Sequence, residues 1–266
     1  MKLAWCTDIH LNFLGEAKVR AFCQELAAWK PDAILLGGDL AEAADVCDQL
    51  TLVADELARP IYFVLGNHDY YGGSIAEVRE RVRRLHDEYE HLNWLPASGV
   101  VELTPDTALI GHSGWGDARL GDFMSSTVLL NDYIRIRELC AASSREELRD
   151  ALTALGDEAA AYVREVLADA LARFRHVLFL THVPPFHAAC WHENNLSDDN
   201  WLPHFSCGAV GEVLTDLMAA HPERALSVLC GHTHSAGECW PLPNLHVRTG
   251  AAVYGKPAAQ APLVVH

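Results

Sequence analysis

The chain has 266 residues, half of them apolar, and a formal net charge of −16. A chain of this length and composition can bury a core as one α/β domain, so we expect a single domain over residues 1–266. The net negative charge disfavours long nucleic acids as partners, because phosphate backbones are bound by basic surfaces.

Membrane and disulfide signals are both weak in this sequence. It contains no apolar run of about eighteen residues, and its N-terminus enters a strand-like segment directly. The eight cysteines are scattered, and no pair has the C-x-x-C spacing. We therefore expect reduced thiols in a cytoplasmic protein that has no membrane-spanning segment.

Strand-like and helical patterns alternate through the first third of the chain. These predicted elements span, in chain order, residues 3–6, 16–29, 33–36, 42–58 and 61–65. Such alternation is typical of βαβ units with a largely parallel sheet. A further helix is predicted after Ser74, where Glu77 completes a capping box, and it should run towards His91.

The rest of the chain predicts a second set of strands around a helical segment. The predicted strands cover residues 100–103, 108–111, 177–180, 226–229, 238–241 and 245–249, with a helix near 210–221. Residues 131–174 predict two helices, and Ser144 with Glu147 forms a second capping box there. This segment is either a lid over a site or amphipathic cover on the sheets, and we favour cover.

Polar side chains follow directly after five of the predicted strands. These candidate ligands are Asp8, His10, Asp39, Asn67, His182, His232 and His234. Sites in open α/β sheets form at the carboxyl ends of the strands, where such side chains meet. Carboxylate, amide and imidazole groups together suit Mn, Fe or Zn, and the spacing permits two ions that share one aspartate. Each motif alone is also typical of an ordinary turn, but five at strand ends favour a metal site.

The same motifs resemble a known family. The five ordered signatures of the calcineurin-like metallophosphoesterases resemble Asp8-Ile9-His10, Gly38-Asp39, Gly66-Asn67-His68-Asp69, Thr181-His182 and Gly231-His232-Thr233-His234. The resemblance implies an α/β fold in which two mixed β-sheets form a sandwich flanked by helices (α/β/β/α). It also implies two divalent ions, most readily Mn, Fe or Zn, and no organic cofactor.

The resemblance assigns four ligands to each ion. The first ion would be bound by Asp8, His10, Asp39 and His234, and the second by Asp39, Asn67, His182 and His232. Asp39 would thus bridge the two. Leu40-Ala41-Glu42 follows Asp39, so the Gly-Asp-x-x-Tyr pattern of purple acid phosphatases is absent and a tyrosinate-bound ferric ion is not expected.

Such a site hydrolyses a phosphate ester through in-line attack by a metal-activated hydroxide. His68 is placed to protonate the leaving group, with Asp69 orienting its imidazole, and this is also the role that the family implies. The alternative is that His68 only stabilises the turn. We expect a small-molecule or nucleotide ester, and the motifs leave monoester and diester open. They also leave open a phosphodiesterase or nuclease acting on nucleic acid, and a catalytically silent binding protein of the same fold.

The long polar segment 184–207 follows ligand His182 directly. Long loops with aromatic residues often shape binding sites, so Trp191, His192 and Trp201 are predicted to contact substrate, unless they only pack the loop onto the body. Tyr70 is a further candidate, with packing at a helix start as its alternative. The same segment has two His-x-x-Cys pairs, whose spacing would permit a structural zinc site, although we favour free thiols.

Overall fold

Within residues 1–265, the computed structural model contains nine α-helices and thirteen strands. The helices are α1 (Glu16–Ala28), α2 (Val46–Leu57), α3 (Ile75–Glu88), α4 (Leu95–Ser98), α5 (Asp132–Arg135), α6 (Arg137–Cys140), α7 (Arg145–Arg173), α8 (Leu202–Phe205) and α9 (Gly208–Ala220). The strands are β1 (Lys2–Cys6), β2 (Ala33–Gly37), β3 (Ile61–Val64), β4 (Leu92–Trp94), β5 (Val101–Thr104), β6 (Thr107–Gly111), β7 (His176–Leu180), β8 (Trp191–His192), β9 (Asn195–Leu196), β10 (Ala225–Cys230), β11 (Gly237–Leu242), β12 (Leu245–Thr249) and β13 (Leu263–Val264).

Two mixed sheets form the centre of the molecule. The first sheet has the order β13-β1-β2-β3-β4, and the second has the order β11-β12-β10-β7-β6-β5. The inner strands of both sheets are parallel, whereas β13, β11 and β5 pair antiparallel at the edges. The carboxyl ends of the inner strands therefore lie at a common edge of each sheet.

The two faces of the central strands are both apolar, which explains the layered architecture. In β1, Leu3 and Trp5 pack between the two sheets, while Ala4 and Cys6 face helices on the outside. A strand that is apolar on both faces needs cover on both. Helices α1 to α3 cover the first sheet, and α7 with α9 covers the second. The predicted α/β/β/α sandwich is confirmed.

Most predicted elements are found within a few residues of their predicted bounds. Both capping boxes form: the Ser74 hydroxyl oxygen accepts from the Glu77 amide at 3.4 Å, and Ser144 accepts from Glu147 at 3.1 Å. The strands β4, β13 and the β8–β9 hairpin were not predicted, because segments of two or three residues are too short to show periodicity.

The helical segment 131–174 differs from its prediction. Instead of two helices it contains the single turns α5 and α6 and the 29-residue helix α7. Helix α7 packs on the outer face of the second sheet through residues such as Val163 and Leu167, so it is cover, as favoured. Helix α5, by contrast, reaches the candidate site. None of the helices within residues 1–265 is both long and apolar enough to cross a membrane.

Candidate metal centre

All seven predicted ligands converge at the carboxyl ends of strands from both sheets. The first sheet supplies Asp8 and His10 after β1, Asp39 after β2 and Asn67 after β3, and the second supplies His182 after β7 and His232 with His234 after β10. Backbone hydrogen bonds join the turns: the Asp8 amide donates to Gly38 at 3.0 Å, and the Gly231 amide donates to His182 at 2.9 Å. These bonds fix the turns that bear the ligands relative to one another.

Five of these ligands have an unusual backbone conformation. Asp8, His10, Asp39, His232 and His234 lie in the left-handed region, with φ between 42° and 69°. This conformation costs a non-glycine residue on the order of 1 kcal/mol, so the surrounding structure has to stabilise it. At Asp8 the stabilising contact is visible, because the His232 amide donates to both carboxylate oxygens at 3.0 and 3.1 Å. Backbone strain that is concentrated at one set of residues is typical of functional sites.

Two glycines permit the close approach of these turns. A Cβ atom on Gly66 would lie 2.2 Å from Asp39 Oδ1, and one on Gly231 would lie 2.1 Å from Asp8 Oδ2. Both separations are far inside van der Waals contact. Glycine at these two positions is therefore a condition for bringing the carboxylates to the strand ends.

The first ligand group combines Asp8, His10, Asp39 and His234. One ligand atom from each lies within 4.8 Å of all the others. The Nε2 atoms of His10 and His234 are 3.3 Å apart, and His234 Nε2 is 3.3 Å from Asp8 Oδ1. Lone pairs that face one another at these distances fit a cation between them.

The second ligand group shares Asp39 with the first. Asp39, His182 and His232 again offer ligand atoms within 4.8 Å of one another. His182 Nε2 lies 3.4 Å from Asp39 Oδ1 and 3.1 Å from Asn67 Oδ1, which adds an amide oxygen to the group. The two groups agree with the sets that the resemblance implied, and together they can hold two divalent ions.

Hydrogen bonds around the ligands select which ring nitrogen faces the site. His182 Nδ1–H donates to the Gly37 carbonyl at 2.9 Å, and His232 Nε2–H donates to the His204 carbonyl at 3.1 Å. Since a carbonyl can only accept, the second nitrogen of each ring is left with its lone pair for a metal. The carboxylate ligand Asp8 is also held by a hydrogen bond, because Thr7 Oγ1 donates to its Oδ2 at 2.6 Å.

The electrostatics of the pocket also fit a cation. Burial lowers the pKa of His10 and of His232 to about 3, which keeps both imidazoles neutral and able to bind metal. Burial and the nearby carboxylates of Asp8 and Asp69 raise the pKa of Asp39 well above its ordinary value. A buried carboxylate in this position is stabilised when a positive ion lies beside it.

Asn67 is oriented by a residue that the sequence did not single out. Its amide Nδ2 donates to Asp132 Oδ1 at 2.8 Å and to the Tyr71 hydroxyl at 3.2 Å. The Tyr71 hydroxyl in turn donates to Asp132 Oδ1 at 2.6 Å. Because both amide hydrogens have acceptors on that side, Asn67 Oδ1 points towards His182 and the second ligand group. Asp132 belongs to α5, so the helical segment contributes to the site.

His68 lies beside the ligands without joining either group. Its side chain is 17% exposed, its ring lies 4.2 Å from that of Tyr71, and its Nε2 is 3.8 Å from Asp39 Oδ2. Burial and the imidazoles of His10 and His182 lower the pKa of His68 to about 2. The ring therefore faces the same cleft as the ligands and is neutral in the free site.

The predicted contact between Asp69 and His68 requires correction. Asp69 Oδ1 accepts from the amides of Leu40 and Ala41 at 2.8 Å, and Oδ2 accepts from the amide of Gly66 at 2.7 Å. The carboxylate is fully buried under these turns, and backbone amides occupy both of its oxygens. Asp69 thus ties the turn after β3 to the turn after β2.

Only one of the four predicted substrate contacts lines the cleft above the ligands. This cleft of about 290 Å³ is lined by His192 but not by Tyr70, Trp191 or Trp201. Tyr70 is fully buried against Trp115, which corrects its predicted position. The indole of Trp191 donates to the Ala188 carbonyl at 3.1 Å and packs over Gly237, and Trp201 stacks behind Phe205 at 5.0 Å.

The cleft is lined instead by residues outside the four predicted substrate contacts. These are Tyr71, Leu129, Leu130, Asn131, Phe205 and Tyr254, which join the ligands and His192. Among them, Tyr71 directly follows the candidate Tyr70, and the pair follows the Asn67-His68-Asp69 motif, so an aromatic wall beside the leaving group was a possibility from the sequence. Leu129 and Tyr254 come from irregular segments far from any ligand motif.

The alternative zinc site in segment 184–207 is not formed. Cys190 Sγ contacts the carbonyls of Phe186 and Phe205, while the His204 ring is hydrogen-bonded to Tyr133 and Ser126. Within residues 1–265, clusters of His, Cys, Asp and Glu with metal-binding geometry occur only at the strand ends.

Comparison with solved structures finds the same fold in several other proteins. Phosphopantetheinyl hydrolase from Mycobacterium tuberculosis superposes with a TM-score of 0.67 at 14% identity, over 98% of this chain and 95% of that one. A dimetal phosphatase from Danio rerio gives 0.59 at 12% identity, over 94% and 87% of the two chains. The protein TT1561 of Thermus thermophilus gives 0.55 at 14% identity, over 94% and 89%. At such low identity these similarities establish the fold alone.

Sequence comparison gives the family. No curated protein matches the chain significantly. The sequence model of the calcineurin-like phosphoesterases matches residues 1–236, a region that contains every ligand at the strand ends. This confirms the resemblance seen in the motifs: the chain belongs to the calcineurin-like phosphoesterase family.

Proposed function

We propose that this protein is a metal-dependent phosphoesterase that uses two divalent ions, most readily Mn, Fe or Zn, to hydrolyse a small-molecule or nucleotide phosphate ester. The observation that carries the proposal is the pair of ligand groups that share Asp39. Mixed carboxylate, amide and imidazole ligands suit these first-row ions. When bound, the two ions would supply an activated water as nucleophile and positive charge for the phosphoryl oxygens.

His68 is proposed to donate the proton that the leaving oxygen needs. It lies in the cleft beside Asn67 and outside both ligand groups, so its ring is free to reach an ester oxygen. The Tyr71 ring against one face limits its rotation. A bound phosphate ester places negative charge beside the imidazole, and negative charge favours its protonated form.

The size and charge of the protein support a small substrate. The cleft of about 290 Å³ is near the lower end of the range for small-molecule sites. The formal charge of −16 opposes the approach of a long polyanion. A small ester, with few charges of its own, meets much less of this repulsion.

An assay with matched aryl esters tests the proposal. Purified protein is supplied with Mn and given p-nitrophenyl phosphate and bis(p-nitrophenyl) phosphate, before and after thorough chelation. We expect chelation to abolish release of p-nitrophenol from at least one ester, and added Mn to restore it. Hydrolysis that survives chelation would contradict the metal-dependent mechanism. A chain that hydrolyses neither ester with Mn, Fe or Zn would favour the catalytically silent alternative.

A further inference from the structure

An aromatic wall stands beside the first ligand group. The Tyr254 ring lies 4.4 Å from His10 and 4.8 Å from His234, measured between ring centroids. Phe13 packs edge-on against Tyr254 at 5.4 Å. Tyr254 lines the cleft and is half exposed, so its free face is available to a ligand there, whereas Phe13 supports Tyr254 from outside the lining.

A second aromatic wall stands beside the second ligand group. The Phe205 ring lies 5.2 Å from that of His232, and His192 packs against Phe205 at 5.1 Å. Leu129, 81% exposed, adds an aliphatic side chain to the edge of the same cleft. The cleft therefore has aromatic or aliphatic side chains beside each ligand group.

Cationic side chains are missing from the cleft. Its lining, as far as the structure describes it, includes no Lys or Arg. The Arg135 guanidinium lies 4.9 Å from the centre of the Tyr71 ring, but two of its nitrogens donate to the Glu42 carboxylate, each at 2.7 Å. Its charge is thus already paired with a carboxylate.

Charge and shape together distinguish the two classes of ester. A phosphate monoester carries nearly two negative charges at neutral pH, because its second pKa is about 6, whereas a diester carries one. A diester also has an organic group on either side of phosphorus. A cleft that adds no Lys or Arg to the two proposed ions, but has aromatic and aliphatic side chains beside each ligand group, matches the diester on both counts.

Resting on the function proposed above, we infer that the substrate is a phosphodiester with an apolar or aromatic group on at least one arm. Hydrolysis adds one water: its oxygen bonds to phosphorus, one P–O ester bond breaks, and the leaving oxygen takes a proton from His68. A proton from the attacking water balances the step. The products are an alcohol and a phosphomonoester, and the second proton of the attacking water is released to solvent when the monoester ionises.

Three esters with the same p-nitrophenolate leaving group test the inference on the Mn-loaded protein. They are p-nitrophenyl phosphate, methyl p-nitrophenyl phosphate and bis(p-nitrophenyl) phosphate. We expect kcat/KM to be at least about tenfold higher for both diesters than for the monoester, and highest for the bis-aryl ester. A monoester hydrolysed as fast as the diesters, or faster, would overturn the inference and leave the proposed phosphoesterase intact. Failure to hydrolyse all three would instead overturn the proposed function.

Two substitutions test whether the residues of the cleft cause the preference for diesters and for an aromatic arm. Leu129→Arg adds a cation at an exposed position, so it should raise kcat/KM for the monoester relative to the methyl diester about tenfold. Tyr254→Ala removes one aromatic wall, so it should lower the ratio of the bis-aryl to the methyl diester. Trp240→Ala, which removes a half-exposed aromatic side chain on β11 outside the cleft, should leave both ratios unchanged. Unchanged ratios in both cleft variants, with metal content retained, would contradict the inference.

Discussion

The strand-end ligands and the walls of the cleft above them are built in opposite ways. The ligands are mostly buried, sit on strained turns and are fixed by backbone hydrogen bonds. The walls consist of Leu129, His192, Phe205 and Tyr254, which come from irregular segments, the two-residue strand β8 and the one-turn helix α8, and Leu129 and Tyr254 are exposed. In the proposed function, the strand ends would determine the reaction, and the walls would determine which ester undergoes it.

Removing His68 should have the largest effect on turnover while sparing the metals. We expect His68→Ala to keep both ions, because the ring belongs to neither ligand group. It should lower kcat about 10²- to 10⁴-fold, which is the usual contribution of a positioned general acid. The loss should be greatest for alkyl esters, whose leaving oxygen needs the proton most. Steady-state kinetics with aryl and alkyl esters, together with metal analysis, measures both effects.

His86→Ala is a matched control for this variant. His86 lies in the last turn of α3, where its Nδ1 contacts the Leu92 carbonyl, outside the cleft. It should leave kcat unchanged. Full turnover of the His68→Ala protein on both aryl and alkyl esters would remove His68 from the mechanism and leave it a structural role in the turn.

Releasing the Asn67 side chain from its fixed orientation should have a smaller effect than removing His68. Asp132→Asn replaces the acceptor of the Asn67 amide by a group that can also donate, so Asn67 Oδ1 is no longer fixed towards the second ligand group. Residues that orient a ligand typically contribute about 10- to 100-fold to metal affinity, and we expect a loss of about that size for the second ion alone. Calorimetric titration of the metal-free protein with Mn would resolve the two binding steps.

Asp150→Asn is the control for this titration. Asp150 is an exposed carboxylate on α7, paired with Arg149, and its change should not alter either binding step. If Asp132→Asn weakened both ions equally, or neither, Asp132 would not act through Asn67. Helix α5 would then belong with the walls of the cleft and not with the groups that position the ligands.

The sequence predicts that the strand-end side chains converge, because this information is local. Each ligand follows an apolar strand and a tight turn, and parallel strands bring such positions to one edge. The sandwich is likewise encoded in strands that are apolar on both faces. The left-handed backbone at Asp8 or His232 is not visible in the pattern, since non-glycine residues seldom adopt it.

The walls and the orienting contacts could not be predicted because they depend on distant segments. Asp132 lies 65 residues from Asn67 along the chain, and their contact exists only once α5 has docked. Even nearby residues were ambiguous: the short 3₁₀ helix over His68–Tyr70 buries Tyr70 and leaves Tyr71 against the His68 ring. Tyr70 and Tyr71 are adjacent in the chain, and the backbone conformation at this point determines which of them lines the cleft.

The central claim is that the strand ends hold two metal ions that share Asp39. Metal analysis of the Mn-loaded protein after gel filtration tests it directly, with Asp39→Asn as the comparison. We expect two ions per native chain and a large loss of both in Asp39→Asn, because this residue belongs to both ligand groups. One ion or none in the native chain, or two retained in the variant, would contradict the shared site.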